Sequence, residues 1–198
     1  MSVFWNERYS RTEYIYGEEP NAFFAEHISK IKPGLLILPC EGEGRNATFA
    51  ASLGWDVKAF DSSQAGREKA ISLAGKKGVR IDYAIEDAMS ASYPENSADV
   101  VAIIFAHFMA ESRMHLHKNA VKWLKPGGKI ILEVFNHQQL HNNSGGPKDI
   151  SLLYTEEMIR QDFASLETGL VQMVKIDLNE GIYHRGKADV LRYLGTKT

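Results

Sequence analysis

The chain is poor in cysteine, in proline and in long apolar runs. Cys40 is the single cysteine among 198 residues, which excludes an intramolecular disulfide and suits a reducing compartment. No segment approaches the roughly 20 consecutive apolar residues of a membrane-spanning helix. The aromatic and charged N-terminus also lacks the apolar stretch of a secretory signal. These absences predict a cytoplasmic protein without a membrane partner.

An excess of charge of one sign is also missing. The sequence has 23 Lys and Arg residues against 25 Asp and Glu residues, for a formal net charge of -2. This balance gives no overall reason to bind nucleic acid, and no set of histidine, cysteine or carboxylate residues has the spacing of metal ligands. The length suits one domain, residues 1–198, with a substantial core. We expect a monomer or homodimer that binds a small molecule.

Short apolar segments alternate with segments of helical periodicity through most of the chain. The predicted strands cover residues 35–38, 57–60, 79–84, 98–105 and 129–135, and the predicted helices cover 23–31, 45–53, 63–76, 111–124 and 155–166. Such alternation predicts a largely parallel sheet covered by helices on both faces. Two further strands, 169–178 and 188–195, are about ten residues apart, which leaves no room for a crossover helix and predicts an antiparallel hairpin.

A glycine turn directly follows the first predicted strand. Gly42 and Gly44 flank one residue, and the Gly-x-Gly-x-x-Ala spacing that ends at Ala47 satisfies a relaxed dinucleotide fingerprint. Glycines let a backbone approach a ligand closely, and Asp61, at the end of the second strand, can accept hydrogen bonds from both hydroxyls of a ribose. The spacing alone leaves an NAD(P)-dependent oxidoreductase open.

Further motifs occur around this turn in a fixed order. They are Trp5-Asn6-Glu7-Arg8-Tyr9, Tyr14-x-Tyr16-Gly17-x-x-Pro20-Asn21, Glu41-Gly42-Glu43-Gly44-Arg45-Asn46-Ala47, Gly145-Gly146-Pro147-Lys148 and Glu180-Gly181-x-Tyr183-His184-x-Gly186-Lys187. With the terminal hairpin, the chain resembles the class I S-adenosylmethionine-dependent methyltransferases. Within that class it is similar to small bacterial enzymes related to tellurite-resistance methyltransferases.

The resemblance implies an α/β, three-layer Rossmann-like fold, whose seven-stranded, mostly parallel sheet has an antiparallel last strand and helices on both faces. It implies an enzyme that moves a methyl group from S-adenosylmethionine to a small acceptor such as a thiol or a chalcogen oxyanion. A donor-binding regulator without catalysis is the alternative from another functional class.

The resemblance also assigns donor-binding residues to the ends of four strands. One departure is that Leu38 and Cys40 stand where the superfamily has an acid and a glycine, so Glu41, the backbone or water must hold the amino group of the donor. The residues expected around the donor are Glu41, Gly42, Glu43, Gly44, Arg45, Asn46, Asp61, Ser62, Glu86, Asp87, Ala88, Phe105 and Ala106.

Candidate catalytic residues lie outside these donor motifs. His184 and Arg185 are the first choice, because imidazole can act as a base near neutral pH and guanidinium can hold an oxyanion. A solvated turn in which both side chains cap carbonyls is the alternative. His107, just past the fourth strand, is expected to contact the acceptor or to be structural.

Two segments are expected to shape the entrance of the site. Residues 1–33, an N-terminal arm followed by a helix, resemble a lid over the pocket, with Arg8, Tyr14 and Tyr16 as candidate lining residues. The polar, glycine-rich loop 137–147, which includes His137, His141 and Asn143, is long enough to be functional.

Overall fold

The computed structural model describes residues 2–198 and contains seven strands in one sheet. The strands are β1 (Leu35–Pro39), β2 (Asp56–Asp61), β3 (Asp82–Ile85), β4 (Ala98–Ile104), β5 (Leu124–Phe135), β6 (Leu166–Glu180) and β7 (His184–Lys197). The helices are α1 (Ser2–Tyr9), α2 (Ala22–Ile28), α3 (Arg45–Ser52), α4 (Gln64–Lys76), α5 (Ala110–Trp123) and α6 (Glu156–Asp162).

The strand order confirms the predicted fold class. Across the sheet the order is β3-β2-β1-β4-β5-β7-β6. Strands β1 to β5 pair in parallel, and β7 is antiparallel to both of its neighbours, β5 and β6. The chain therefore forms a three-layer Rossmann-like sheet with an antiparallel last strand, and the carboxyl ends of β1 to β4 meet at one edge.

Apolar side chains cover both faces of the sheet. In β4, Val101 and Ile103 join the core under α5 and α6, whereas Val100 and Ala102 join the core under α2, α3 and α4. Successive side chains of a strand point to opposite faces, so an uninterrupted apolar strand such as β4 is buried on both sides. The sheet is thus a rigid platform for the loops at its edge.

Several boundaries differ from the sequence prediction. Strand β3 begins at Asp82 instead of residue 79, and α6 ends at Asp162 because Leu166 already pairs in β6. Strand β5 begins at Leu124, which pairs with Ala98, so the turn before residue 129 belongs to the strand.

The terminal hairpin is longer than predicted. Strands β6 and β7 approach each other until only Gly181, Ile182 and Tyr183 connect them. β6 is an edge strand with many exposed polar side chains, so its ends carry no clear apolar signal. Between Ser2 and Thr198, none of the helices has both the length and the apolar character needed to cross a membrane.

Candidate active site

A cavity of about 500 Å³ lies at the edge of the sheet where β1 to β4 end. The N-terminal arm (here residues 2–21, before α2) and the terminal hairpin (β6 and β7) complete its walls. All of the predicted donor-binding residues except Gly42 and Gly44 line it. The structure therefore brings together residues that the sequence separates by more than sixty positions.

Gly42 and Gly44 lie behind the cavity wall. Both have positive φ angles, +60° and +83°. A Cβ atom on Gly42 would lie 2.6 Å from the Tyr9 hydroxyl, and one on Gly44 would collide with Ala70 of α4. The glycines thus let the arm and α4 pack closely against the turn, which the fingerprint alone did not indicate.

Cys40 adopts a backbone conformation that usually requires glycine. Its φ angle is +55°, in the left-handed region that favours glycine. Leu38 is fully buried in the core under α2 and α3, so the missing acid is not replaced at that position. Nothing at Leu38 reaches the cavity.

Glu41 caps α3. Its Oε1 accepts hydrogen bonds from the backbone N–H groups of Asn46 and Ala47, both at 2.8 Å, and Oε2 accepts one from the Asn46 side chain at 3.1 Å. Burial raises the pKa of Glu41 to about 7, against the opposing effect of these hydrogen bonds. The carboxyl group also lines the cavity, so a ligand there would contact a carboxyl group that already caps α3.

Asp61 is oriented by the glycine turn. One carboxylate oxygen accepts from the N–H of Gly42 at 3.2 Å, and the other accepts from the N–H of Ser63 at 2.9 Å. Burial raises the pKa of Asp61 to about 6. A carboxylate has about four acceptor sites, so two backbone contacts leave capacity for the two hydroxyls of a ribose.

The loop after β3 lies beside Asp61. The N–H of Glu86 donates to the carbonyl of Asp61 at 3.0 Å, and the Asp87 side chain accepts from the N–H of Met89 at 2.8 Å. The Oε2 atom of Glu86 is buried and has no partner among residues 2–198. A buried acceptor without a donor is unfavourable by about 1–3 kcal/mol. This orphan atom fits a ligand that supplies hydroxyl or amine donors, as a nucleoside does.

Glu43 contacts the N-terminal arm as well as the cavity. Its Oε2 accepts from the N–H groups of Ile15 and Tyr16 at 2.8 and 3.3 Å, and its Oε1 lies 2.7 Å from the ammonium of Lys69. Arg45 donates to the carbonyl of Tyr16 at 3.1 Å. Much of the Glu41–Ala47 motif therefore holds the arm in place.

The arm forms one wall of the cavity. Its aromatic and basic residues Phe4, Trp5, Arg8, Tyr9 and Tyr16 line the space. Tyr14, which was expected to do the same, instead donates to the carbonyl of Lys69 on α4. The position of the arm agrees with the lid prediction, and a closing motion stays a prediction.

Aromatic rings surround the end of β4. Phe105 has a φ angle of +51° and stacks on Phe135, with 4.5 Å between the ring centroids. The imidazole of His184 lies edge-on to Phe105 at 4.7 Å and contacts Tyr16 at 4.4 Å. Phe135 was not among the site residues proposed from the sequence. It ends β5, the parallel neighbour of β4, and should therefore lie at the same edge of the sheet as Phe105.

His184 lies in the wall at the start of β7. The side chain is buried, and its Nδ1 atom lies 3.4 Å from the Glu180 carboxylate. Burial lowers the pKa of His184, while Glu180 acts in the opposite direction. The imidazole is therefore neutral at physiological pH.

The hydrogen bonds of His107 fit the structural role that was expected as its alternative. Its Nδ1 atom hydrogen-bonds the carbonyl of Leu152 at 2.8 Å, and Nε2 accepts from the N–H of Phe135 at 3.3 Å. Burial lowers the pKa of His107 to about 4. With both nitrogens occupied by backbone groups, His107 lines the cavity as a structural residue.

Arg185 is exposed and does not line the cavity, so the geometry does not support its predicted role on the acceptor. It follows His184 in β7, and adjacent residues of a strand point to opposite faces. Three other cations, Arg8, Arg45 and Lys148, line the cavity, and Arg8 donates to the Tyr16 hydroxyl at 2.9 Å and lies over the ring of Tyr183.

The long polar loop contributes its last residues. Gly146, Pro147 and Lys148 line the cavity, as an entrance role requires, whereas His137, His141 and Asn143 do not. Part of this loop is a short 3-10 helix, His137–His141.

Comparison with known proteins agrees with this geometry. Residues 40–132 match the family model described as a methyltransferase domain. The ubiquinone biosynthesis O-methyltransferase of Rickettsia akari is 30% identical over 126 residues, which are 64% of this chain and 48% of that protein. The chain spans about half or less of the length of the curated relatives it matches.

Two solved structures share the fold. TehB from Haemophilus influenzae superposes with a TM-score of 0.74 at 19% identity, covering 100% of this chain and 67% of that chain. The PH0226 protein from Pyrococcus horikoshii OT3 has a TM-score of 0.74 at 16% identity, covering 96% and 99%. The family model covers just under half of the chain, and at these identities the two structures show the fold alone, which is the Rossmann-like methyltransferase fold. The cradle at Asp61 and Glu86 suits a ligand that contains a nucleoside.

Proposed function

We propose that this protein transfers the methyl group of S-adenosylmethionine to a small-molecule acceptor. The observation that carries the proposal is the division of one cavity into two chemically different ends. Carboxylates beside the glycine turn form the end under β1 to β3, and aromatic rings with His107 and His184 form the end beside β4 and the terminal hairpin. A volume of about 500 Å³ suits a nucleoside cofactor with a small acceptor, and pockets for small ligands span about 300–1,000 Å³.

The acidic end suits the donor. Asp61 would accept from the ribose hydroxyls, and Asp87 from the exocyclic amine of the adenine. Glu86 lies next to Asp87 in the loop after β3, and its unpartnered Oε2 atom could accept a further hydrogen bond from the donor. The methionine part would then extend past Glu41 toward Phe105 and Ala106.

The aromatic end suits the reaction. Methyl transfer needs the acceptor atom in line with the methyl carbon and the departing sulfur, in a site from which water is excluded. The faces of Phe105 and Phe135 provide an apolar wall, and aromatic faces also attract a sulfonium cation. The N-terminal arm closes the opposite side with Trp5 and Tyr16.

We infer a soft acceptor, a thiol or a chalcogen oxyanion, from the similarity of the chain motifs to the tellurite-resistance group. Nucleic acid is not expected as the acceptor, because the formal net charge of the chain is -2 and several carboxylates line the cavity. A cytoplasmic enzyme, monomeric or homodimeric, remains our expectation.

The test combines binding with turnover. Isothermal titration should show binding of S-adenosylhomocysteine and none of NADH. Formation of S-adenosylhomocysteine from S-adenosylmethionine should then be measured by mass spectrometry with small thiols, phenols, selenite and tellurite. Donor binding without turnover on any of them would contradict the proposal and identify a donor-binding regulator.

A further inference from the structure

We propose that Glu180 and His184 form a carboxylate–imidazole pair in which Nε2 of His184 removes a proton from the acceptor, so that the acceptor is a small thiol or phenol that is protonated at neutral pH. The inference rests on the proposed function and narrows it. It selects a protic acceptor over a chalcogen oxyanion, which needs no base.

The hairpin fixes the two residues opposite each other. Glu180 is the last residue of β6, His184 is the first of β7, and they pair across the antiparallel ladder. Only three residues connect the strands. The Glu180 carboxylate lies 3.4 Å from Nδ1 of His184, and hydrogen bonds of catalytic groups are commonly long before substrate binds. Nδ1 therefore carries the proton of the neutral ring, and Nε2 carries the lone pair.

The Glu180 carboxylate is itself held in place. Arg45 donates to Oε2 at 2.8 Å, and the side chain of Asn21 donates to Oε1 at 3.3 Å. Although burial raises it, the pKa of Glu180 stays below its ordinary value because of His184 and Arg45. Glu180 is therefore ionised and can orient the imidazole, as the third group of a nucleophile–base constellation does.

The Nε2 edge of His184 is left accessible. Nε2 has no hydrogen-bond partner within the described part of the chain, and His184 lines the cavity. Gly145 passes next to this edge, and a Cβ atom there would lie 2.7 Å from Cδ2 and 3.3 Å from Nε2. The other histidine in the wall, His107, has both nitrogens engaged. Of the two, His184 alone can exchange a proton with a ligand.

Several charged or titratable groups face His184 from the surrounding elements. Arg8 and Arg45 lower its pKa and Glu180 raises it, while burial is the largest effect and lowers it. His107 lies on the adjoining side, and the ring of Tyr16 contacts the imidazole at a tilt, with 4.4 Å between the ring centroids. The result is a neutral imidazole, ready to accept a proton at pH 7.

The reaction balances without another reactant. The S–H or O–H bond of the acceptor breaks, its proton moves to Nε2, and the electron pair left on the acceptor attacks the methyl carbon. The new bond to carbon forms as the bond to the sulfonium sulfur breaks, which leaves a neutral S-adenosylhomocysteine. The imidazolium then loses its proton to water. Arg8 lies in the wall as a cation that stabilises the transient anion.

The first experiment compares pH profiles of kcat for the wild-type protein, Glu180→Gln and His184→Gln with an alkyl thiol. In the wild type, kcat should rise with pH and level off once His184 is deprotonated. His184→Gln should lower kcat about 100- to 10,000-fold, the usual contribution of a general base. Glu180→Gln should lower kcat about tenfold with little change in KM, and should move the acid limb to lower pH because the carboxylate no longer raises the pKa of His184.

Glu180→Asp tests whether the negative charge, as opposed to the fold, accounts for the change. It should restore the acid limb toward that of the wild type. Melting temperature and S-adenosylhomocysteine affinity, measured for every variant, identify any that misfold. An acid limb in the folded Glu180→Gln variant that coincides with that of the wild type would overturn the positioning role.

The decisive experiment varies the proton on the acceptor. Thiols that are already ionised at the assay pH, such as aromatic thiols, do not need a base. The His184→Gln defect should therefore be large for an alkyl thiol and at least tenfold smaller for an ionised thiol. An equal defect for both, or turnover of selenite or tellurite alone, would overturn the inference and leave methyl transfer intact. Failure of every acceptor would instead overturn the proposed function.

Discussion

The two ends of the cavity are built in different ways. At the donor end, Glu41 contacts Asn46 five residues away and Asp61 contacts Ser63 two residues away. At the acceptor end, Arg45 forms an ion pair with Glu180, which lies 135 positions later in the sequence, and the ring of Tyr16 contacts that of His184 at a tilt. The donor end is therefore specified by local motifs, whereas the acceptor end exists only after both termini have packed against the sheet.

This difference indicates which parts of the enzyme can change independently. A glycine turn and the acids at two strand ends suffice for a cradle, since the backbone geometry of β1 and β2 brings them together. The arm and the hairpin determine what else fits, and they can vary without altering the cradle. Glu43 and Arg45 link the two ends, because they belong to the donor motif in sequence but bind the arm in space.

The largest effect is expected from breaking that link. Glu43→Ala removes the buried partner of Lys69 and the acceptor for two backbone N–H groups of the arm. We expect the free energy of unfolding to fall by about 3 kcal/mol, measured by urea denaturation. Trypsin should also cleave faster after Arg8 and Arg11, because the arm is released.

Glu26→Ala is the matched control. This glutamate lies exposed on α2 in an ion pair with Lys30, and solvent screening should leave the stability almost unchanged when the pair is removed. If Glu43→Ala kept its stability and lost affinity for S-adenosylhomocysteine instead, Glu43 would belong to the donor end, as the sequence predicted.

A second effect should be confined to the donor end. Asp61→Ala removes the carboxylate that faces the ribose position, and a hydrogen bond to a charged group is worth about 2 kcal/mol. S-adenosylhomocysteine should bind about 30-fold more weakly in isothermal titration. Asp82→Ala, at an exposed acid that begins β3, should bind normally. Equal affinities for both variants would remove Asp61 from the site.

The pH dependence of donor binding should report the same carboxylate. Burial raises the pKa of Asp61 to about 6, so the group is ionised at pH 7 and mostly protonated at pH 5. Since only the carboxylate accepts from both hydroxyls, affinity should fall as pH drops through 6, by about tenfold at pH 5.

Asp61→Asn provides the comparison, because its amide does not titrate. Glu41, with a pKa of about 7, is present in both proteins, so the difference between their profiles isolates Asp61. Parallel profiles would show that another group controls donor affinity.

The smallest effect is expected at a residue that the sequence favoured. Arg185→Ala alters an exposed side chain on the face of β7 opposite His184, so kcat and KM should stay within about twofold of the wild type. A large loss of turnover would mean that the hairpin rearranges when substrate binds.

Much of the fold was predictable from the sequence, because apolar periodicity reports which faces a strand or helix buries. The helix predicted over residues 63–76 corresponds to α4, whose N-cap is Ser63, and the helix predicted to begin at residue 155 corresponds to α6, whose N-cap is Thr155. The ends of β6 and β7 were not predictable, since polar side chains of an edge strand give no apolar signal.

Residues of the site were predictable where their position depends on local backbone geometry, such as the end of a strand. Asp61 follows from its place at the end of β2. Arg185 was chosen as a pair with His184 without regard to the alternation of side chains along a strand, and the two hydrogen-bond partners of His107, Leu152 and Phe135, are remote from it in sequence.

The sequence by itself determined the order of strands and helices, the glycine turn and the acids at the strand ends, because these depend on local backbone geometry and on the periodicity of apolar residues. Tertiary structure alone decided which of the two histidines in the cavity wall keeps an unbonded nitrogen, that Arg8 faces the cavity while Arg185 does not, and that the arm forms a wall. Those properties depend on contacts between distant segments, such as Tyr16 on His184 and Arg45 on Glu180, which no local pattern records.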